Sequence, residues 1–154
     1  MRLVYQRVSD ASVTVNGAVI GQIEQGAVLL LGVGVNDTEH DADLLAKKAA
    51  ELRVFEDDAG KMNLSLLDIG GGALVVSNFT LYGNCRHGRR PEFLGAARPE
   101  TAVPLYEYFV GKLKTLGVAR VETGEFGADM ALQIGGDGPV TLLLDSDDLG
   151  RRKD

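Results

Sequence analysis

The first part of the chain alternates between apolar and polar positions in short runs that are typical of β-strands. Residues 4–8 and 12–15 show this alternation, and the pair Asn16-Gly17 that follows them is a strong signal for a tight hairpin. Residues 18–23 are placed to pair back along the hairpin. Residues 27–33 are apolar almost throughout, which predicts a central strand that is buried on both faces.

Apolar residues at helical spacing mark two later segments. Residues 36–38 offer N-cap side chains and Asp41 stands where a capping-box partner would, before apolar positions recur at helical spacing as far as Leu52. A second helix is predicted after a loop that ends around Pro99, with Leu105, Phe109, Leu113 and Leu116 at helical spacing. Gly117 follows it at the position where helices commonly end in a left-handed residue.

An apolar run at residues 73–76 predicts another strand that is buried on both faces, and we expect Ser77, Asn78 and Thr80 to continue it. Polar side chains in such a strand need partners, because an unpaired buried hydroxyl or amide costs roughly 1–3 kcal/mol. A polar cluster at this place is therefore a candidate functional site.

The C-terminal part predicts three more strands, at residues 118–122, 131–134 and 140–145. The glycine-rich residues 135–139 between the last two predict a turn. Because Pro139 cannot donate to a ladder, the final strand suits a sheet edge, and such an edge is commonly closed by a second subunit.

These elements together predict an α+β fold. We expect a mostly antiparallel sheet that curls into a barrel-like layer, with two helices, and that is closed by formation of a homodimer. No repeat or linker divides the 154 residues, so the prediction is a single domain over residues 1–154.

Composition limits the class of protein. The net charge of −6 argues mildly against a nucleic-acid-binding domain, which is usually basic, without excluding one. The single cysteine, Cys85, rules out an internal disulfide framework and favours a cytoplasmic protein. With only two histidines in addition, a metal site is not expected. We find neither a signal-peptide pattern nor an apolar run of membrane-spanning length.

Arg86, Arg89 and Arg90 form a short cationic loop after the buried strand. A solvated loop would explain them equally well. The planar guanidinium group is nevertheless suited to binding a phosphate, which makes the loop a candidate anion site.

Thr80 is a candidate reactive hydroxyl. A nucleophilic threonine needs an adjacent base, and neither His40 nor His87 lies at a spacing that promises one. We therefore expect Thr80 to act as a hydrogen-bond donor, with nearby backbone N–H groups stabilising an oxyanion. The pair Gly138-Pro139 has two interpretations, an ordinary tight turn or a cis peptide bond. Spacing favours the turn, because only about 5–6% of X-Pro bonds are cis.

Two segments together resemble the D-aminoacyl-tRNA deacylase family. They are Ser77-Asn78-Phe79-Thr80-Leu81, followed by Gly88-Arg89-Arg90-Pro91, and Gly136-Asp137-Gly138-Pro139-Val140-Thr141. Further matching segments extend the resemblance over nearly the whole chain. Two positions depart from the family pattern: Asn78 stands where the family has Gln, and Gly136 stands where it has Asn.

The resemblance implies a homodimeric hydrolase that cleaves the ester between a D-amino acid and the 3′ end of tRNA, without a metal or other cofactor. It implies that Gly138-Pro139 is cis and reaches into the partner's pocket. There the backbone carbonyls would hold the substrate ammonium and leave no room for an L side chain. It further implies roles for a larger set of residues: Arg7 steadies the Gly-Pro segment, Ser77, Asn78 and Phe79 bind substrate, and Arg86, Arg89 and Arg90 contact tRNA. Thr80 is implied to be catalytic, either as a nucleophile or through its backbone with the terminal ribose hydroxyl of the tRNA assisting. The lack of a base near Thr80 favours the backbone role.

Specificity follows from the same resemblance. A related group that acts on an L-aminoacyl-tRNA has Met at the position of Phe79, so Phe79 favours the D-specific branch. A pocket that rejects L-amino acids by leaving no room for their side chain would still admit glycine, which has no side chain. We therefore also expect activity on glycyl-tRNA, including glycine mischarged on tRNA(Ala). The alternatives are a non-catalytic tRNA-binding module and a metal-dependent esterase, which loss of activity on chelation would reveal.

Overall fold

One long strand organises the sheet. In the computed structural model, which describes residues 1–150, β1 spans Arg2–Val15. It pairs antiparallel with β2 (Ala18–Ile23) through its second half and with β3 (Gly26–Gly32) through its first half. β8 (Ala131–Asp145) runs antiparallel along the other side of β1.

The remaining strands extend this sheet on the far side of β3. β6 (Gly72–Ser77) is parallel to β3, and β7 (Arg120–Thr123) is parallel to β6. A separate antiparallel pair consists of β4 (Phe55–Glu56) and β5 (Met62–Leu64). β2 approaches β7 so closely that a Cβ added at Gly21 would lie 2.8 Å from the Thr123 carbonyl oxygen. The predicted α+β fold with a mostly antiparallel, barrel-like sheet is therefore confirmed.

Both predicted helices are present. α1 (Glu39–Glu51) begins with the expected capping box, in which the Thr38 backbone N–H donates to the Asp41 carboxylate at 2.8 Å. α2 (Pro99–Leu116) ends at Gly117, whose φ of 100° lies in the left-handed region. It begins at Pro99, where the preceding loop was predicted to end.

The prediction of two helices was incomplete, since a third helix, α3 (Ser146–Leu149), follows β8. It is only four residues long, which is too short to produce a helical pattern in the sequence. Its start is set by Asp145, whose carboxylate accepts a hydrogen bond from the Asp147 backbone N–H at 3.0 Å. No helix of residues 1–150 is long and apolar enough to cross a membrane.

The predicted turn at residues 135–139 was wrong. β8 continues through it, because β1 runs past it and supplies partners on both sides: Val8 pairs with Gly136 and Gln6 with Thr141. Four residues of β8, 137–140, thus stand opposite the single residue Arg7 and form a bulge. The segments 4–8 and 12–15 likewise belong to one strand rather than two.

The predicted continuation of β6 through Asn78 and Thr80 was also wrong. β6 ends at Ser77, and residues Phe79–Tyr82 form a short 3₁₀ helix. β3 ends at Gly32, so its ladder with β6 closes with one last bond, from the Asn78 N–H to the Leu31 carbonyl at 2.8 Å. With no strand left to pair against, the chain turns.

Alternate residues of the buried strands face two hydrophobic cores. Leu29, Ala73 and Val75 belong to the core beneath α1 and α2. Val28 and Leu74 belong to a second core on the opposite face, which the β1–β2 hairpin and β8 enclose. β3 and β6 are therefore held from both sides, and the chain that leaves β6 starts from a rigid position.

Candidate active site

A pocket opens where β6 gives way to the 3₁₀ helix. Its cavity is about 530 Å³, which falls within the range of roughly 300–1,000 Å³ typical of small-molecule sites. Ser77, Asn78, Phe79 and Thr80 form one wall. The other walls come from the end of β3, the start of α2 and the loop before β8, and are mainly apolar: Leu31, Val33, Phe93, Ala96, Ala97, Ala102, Tyr106, Phe126 and Met130.

The polar wall contains one side-chain hydrogen bond. The Thr80 hydroxyl donates to the side-chain oxygen of Asn78. Phe79 is 57% exposed and packs edge-on against Phe93, with the ring centroids 5.2 Å apart. The structure thus brings together all four candidate residues of this segment, although on a turn rather than on a strand.

Two backbone N–H groups in the turn remain available. Within residues 1–150, the N–H groups of Phe79 and Thr80 donate to no backbone or side-chain acceptor, whereas the N–H groups of Leu81 and Gly83 bond to the Asn78 and Thr80 carbonyls. Unused N–H groups beside a pocket can stabilise an oxygen that gains negative charge.

The pocket offers few charged groups. Among the described residues that line it, Arg98 is the charged side chain, and no carboxylate, histidine or lysine is present. His40 lies on α1 and His87 in an exposed loop, and neither lines the pocket that contains Thr80. Tyr106 donates from its hydroxyl to the Val75 carbonyl at 2.9 Å, and burial raises its pKa to about 12, so it stays neutral near pH 7.

Gly138 and Pro139 do not line the pocket of their own chain. They are exposed, lie in the bulge of β8, and are joined by a cis peptide bond. Beneath them the buried Arg7 donates from Nε to the Asp137 carbonyl at 3.1 Å and from Nη1 to the Val54 carbonyl at 2.7 Å. Arg7 thus contacts the segment that the resemblance assigned to it.

Arg86, Arg89 and Arg90 lie in an exposed loop whose two ends meet beside the pocket. Asn84 and Glu92 pair at its base, and Phe93 continues from there into the pocket wall. The guanidinium groups are therefore presented to solvent near the pocket rather than inside it.

Sequence reasoning missed the residues that α2 and the following loop contribute. Arg98 and Ala102 come from the start of α2, and Phe126 and Met130 come from the loop between β7 and β8. The excess of arginine near residue 98 was visible in the sequence. The apolar residues carried no signal, because core residues look the same. Within residues 1–150, no cluster of three His, Cys, Asp or Glu side chains could hold a metal ion.

The fold and the pocket define an α+β protein whose candidate site combines neutral polar side chains and backbone N–H groups at the end of a buried strand with apolar walls and one arginine, Arg98. A family model described as D-Tyr-tRNA(Tyr) deacylase matches residues 4–145. The chain belongs to this family, which confirms the resemblance seen in the sequence.

Similar proteins cover almost the whole chain. The D-aminoacyl-tRNA deacylase of Thermosipho melanesiensis is 60% identical over 95% of this chain and 97% of its own. That of Roseiflexus castenholzii is 62% identical over 95% and 92%. Among solved structures, one named c-Myc DNA Unwinding Element Binding Protein is 39% identical, with a TM-score of 0.89 over 94% of this chain and 98% of that one. A second, described as a probable eukaryotic D-amino acid tRNA deacylase, is 17% identical with a TM-score of 0.81, over 94% of this chain and 98% of its own, and supports the fold alone.

Proposed function

We propose that the protein hydrolyses the ester bond between a D-amino acid and the 3′ end of tRNA, releasing the free D-amino acid and tRNA. The observation that carries this proposal is the convergence of Ser77, Asn78, Phe79 and Thr80 on one pocket. It occurs in a chain that is 60% and 62% identical to relatives named D-aminoacyl-tRNA deacylase. The reaction is a step of quality control in translation, and we assign it to the cytoplasm.

The chemistry relies on neutral groups. Water attacks the ester carbonyl carbon, and the N–H groups of Phe79 and Thr80 stabilise the charge that develops on the carbonyl oxygen. The bond to the ribose 3′ oxygen then breaks, and that oxygen takes up the proton that the water gave up. Because no histidine or carboxylate lines the pocket, Thr80 is not activated as a nucleophile, and it contributes mainly through its backbone.

The apolar part of the pocket suits the terminal adenosine of the tRNA. The half-buried ring of Phe126 lines this part and offers aromatic surface to a nucleobase, while the buried Tyr106 supports it edge-on, with ring centroids 5.9 Å apart. Arg98 lies at the start of α2 and is exposed, so it is available to the phosphate that precedes the adenosine.

Rejection of L-aminoacyl-tRNA requires a second subunit in this proposal. The pocket has no carboxylate to bind the substrate ammonium, while Gly138 and Pro139 are exposed with backbone carbonyls to offer. Among residues 1–150, β8 pairs with β1 alone, and its Leu143 is 81% exposed, as an interface strand would be. In a homodimer, Gly138-Pro139 of one subunit enters the pocket of the other, binds the ammonium and leaves no room for an L side chain.

Arg86, Arg89 and Arg90 bind the tRNA backbone. They are exposed and lie on the loop that leads into the pocket wall. A local cluster of guanidinium groups attracts phosphate even in a chain with a net charge of −6, because at roughly 0.15 M salt charges beyond about 8 Å are largely screened.

The deciding experiment compares D-tyrosyl-tRNA, L-tyrosyl-tRNA and glycyl-tRNA as substrates, with chelator present and enzyme in catalytic amounts. We expect rapid release of D-tyrosine, release of glycine, and no release of L-tyrosine. Loss of activity with chelator would indicate a metal-dependent esterase. Intact glycyl-tRNA would contradict exclusion as the basis of selectivity.

Mixed dimers test the contribution of the second subunit. One subunit carries Pro139→Ala and the other carries Ala97→Trp, which fills the pocket. If Gly138-Pro139 acts across the interface, one of the two sites in each mixed dimer is intact, and about half of the activity returns. If it acts within its own chain, every site is defective and no activity returns.

A non-catalytic nucleic-acid-binding module is the second candidate function. It is favoured by one observation, the 39% identity to the structure named for binding a DNA unwinding element. It predicts salt-sensitive binding of tRNA without hydrolysis of the ester.

A further inference from the structure

We propose that Asp37 is a positioning residue for the pocket: its carboxylate joins the buried α-ammonium group of Met1 to the backbone of Gly34 and thereby fixes one pocket wall. The inference rests on the proposed function, because this wall belongs to the same pocket. Asp37 does not line the pocket itself, so it acts through the backbone rather than on the substrate.

The α-ammonium group of Met1 is buried, and a buried charge must be paired and hydrogen-bonded. It donates to Oδ1 of Asp37 at 2.7 Å and to the hydroxyl oxygen of Ser146 at 2.7 Å. The Ser146 hydroxyl in turn donates its own proton to the Asp41 carboxylate at 2.7 Å. The Asp37 side chain is only 9% exposed, so the ion pair is shielded from the solvent and salt that weaken surface pairs.

The second carboxylate oxygen of Asp37 binds the chain that leaves β3. Oδ2 accepts the Gly34 N–H at 2.6 Å, and the Asp37 N–H donates to the Gly34 carbonyl at 3.2 Å. These two bonds close a tight turn over residues 34–37. Because the same carboxylate binds the Met1 ammonium, the turn is fixed to the start of β1.

The turn in turn holds the pocket wall. Residues 33–35 run antiparallel to residues 95–97 and form backbone hydrogen bonds with them at 2.9 and 3.1 Å. Val33, Ala96 and Ala97 line the pocket, and the segment continues into the pocket residues at the start of α2. A turn released from Met1 would therefore shift this wall.

Such a shift should affect substrate binding rather than the chemical step. In the proposed function, Arg98 follows directly on this wall and contacts the phosphate before the terminal adenosine. These contacts are the same in the bound substrate and in the transition state, so losing them raises KM and leaves kcat unchanged. The N–H groups of Phe79 and Thr80 lie instead at the end of β6, which is held by β3.

The test is the steady-state kinetics of Asp37→Asn with D-tyrosyl-tRNA. Removing the charge breaks the buried ion pair, so KM should rise about tenfold while kcat changes by less than about twofold. The matched control is Asp68→Asn, because the Asp68 carboxylate also accepts a backbone N–H, that of Ser65 at 2.8 Å, but lies outside the pocket. It should leave KM unchanged. An unchanged KM in Asp37→Asn, or an equal rise in Asp68→Asn, would overturn the proposal.

A double-mutant cycle tests the contribution of the ammonium group. A glycine placed before Met1 replaces the buried ammonium by an uncharged amide and should raise KM about as much as Asp37→Asn does. The combined variant should have a KM no higher than the worse of the two, because the ion pair is already broken. A KM raised about a hundredfold would mean that the two groups act independently and would overturn the proposal.

Thermal unfolding establishes that each variant is folded. If Asp37→Asn is not, Ser146→Ala takes its place, because it removes one of the two acceptors of the Met1 ammonium. KM should then rise in the same direction, and an unchanged KM would overturn the proposal.

The wild-type rate distinguishes the two levels of inference. A wild-type protein that releases no D-tyrosine would overturn the proposed function and the role of Asp37 with it. An active wild type whose KM is insensitive to Asp37→Asn would overturn the role of Asp37 alone.

Discussion

Arg7 lies opposite the bulge of β8, where its Nε donates to the Asp137 carbonyl oxygen at 3.1 Å and lies 3.2 Å from the Asp137 carboxylate. Its Nη1 donates to the Val54 carbonyl at 2.7 Å. The guanidinium is buried, and its bond to the Val54 carbonyl is buried too, so a carbonyl that lost this donor would be left unpaired at a cost. One cation thus joins the Gly138–Pro139 segment to β1 and to the chain that follows α1.

Arg7→Lys should destabilise the protein and weaken its selectivity. Lysine cannot donate in two fixed directions, so at least one buried carbonyl loses its donor at a cost of roughly 1–3 kcal/mol in the free energy of unfolding. Urea unfolding measures this cost, and the ratio of D- to L-tyrosyl-tRNA hydrolysis measures selectivity. The control is Arg120→Lys, at an exposed arginine paired with Glu122 on the surface. Equal effects of the two variants would contradict the role assigned to Arg7.

The neighbouring glycines Gly135 and Gly136 should respond differently to alanine. A Cβ at Gly135 would collide with the Asp10 side chain and lie 2.9 Å from the Asp10 carbonyl oxygen, whereas a Cβ at Gly136 would meet only the Gln6 side-chain nitrogen at 3.6 Å. We expect Gly135→Ala to cost about 1–3 kcal/mol through overpacking. Gly136→Ala should be neutral or stabilise by about 0.4–1 kcal/mol, because it restricts the unfolded chain. Thermal and urea unfolding of both variants measures the two changes in stability. A larger loss for Gly136→Ala than for Gly135→Ala would contradict the prediction.

Tyr5 and Tyr106 form a matched pair for the cost of a buried hydroxyl. Among the residues that the structure describes, the Tyr5 hydroxyl has no hydrogen-bond partner, whereas that of Tyr106 donates to the Val75 carbonyl at 2.9 Å. Tyr5→Phe should therefore cause no loss of stability and could raise it by about 1 kcal/mol, while Tyr106→Phe should cost about 1 kcal/mol. Urea unfolding measures both changes. A clear loss with Tyr5→Phe would mean that its hydroxyl is satisfied.

Asp41 should make stability depend on acidic pH. Burial acts to raise its pKa, but hydrogen bonds from the Thr38 backbone N–H and the Ser146 hydroxyl outweigh that effect and lower the pKa below 3.8. A carboxyl with a lowered pKa in the folded state adds stability above its unfolded pKa, and this is lost as the pH falls through the folded value. The excess stability of wild type over Asp41→Asn should thus be constant near neutral pH and shrink below about pH 4.

Urea unfolding at a series of pH values checks this prediction. Thr38→Ala is the control. It removes the Thr38 hydroxyl, whose 3.4 Å hydrogen bond contributes least to the lowered pKa of Asp41, but it keeps the carboxylate and the backbone N–H that contributes most. Its stability should decline at low pH nearly as that of wild type does. An Asp41→Asn difference that does not change between about pH 6 and about pH 3 would contradict the prediction.

The arginine loop should affect binding rather than the chemical step. Replacing Arg86, Arg89 and Arg90 together by alanine removes charges that lie outside the pocket, so KM for D-tyrosyl-tRNA should rise at low salt while kcat changes little. In a plot of the logarithm of tRNA affinity against the logarithm of salt concentration, the slope should become shallower by about one unit for each phosphate that the loop no longer neutralises. Steady-state kinetics at several salt concentrations would show an unchanged KM if the loop is merely solvated.

Local patterns in the sequence were sufficient for the elements whose signals are local. Asn16 and Gly17 both take the positive φ values that a tight hairpin requires. The capping box at Thr38, the left-handed Gly117 and the buried strand at residues 73–76 are also where the sequence predicted them. In each case the local conformation depends on a few neighbouring residues, so it can be predicted without knowing which distant residues they contact.

Tertiary structure alone decided the shape of the candidate site. β6 stops at Ser77 because β3, its partner, stops at Gly32, and this places Thr80 on a turn with unused N–H groups rather than in a strand. The bulge at Gly138 exists because β1 continues past it and pairs again beyond it. Partner length and register depend on residues far away in the chain, and the same holds for the pocket walls from α2 and the loop before β8. The sequence therefore contained the chemical groups, and the pairing of distant strands determined how they are arranged.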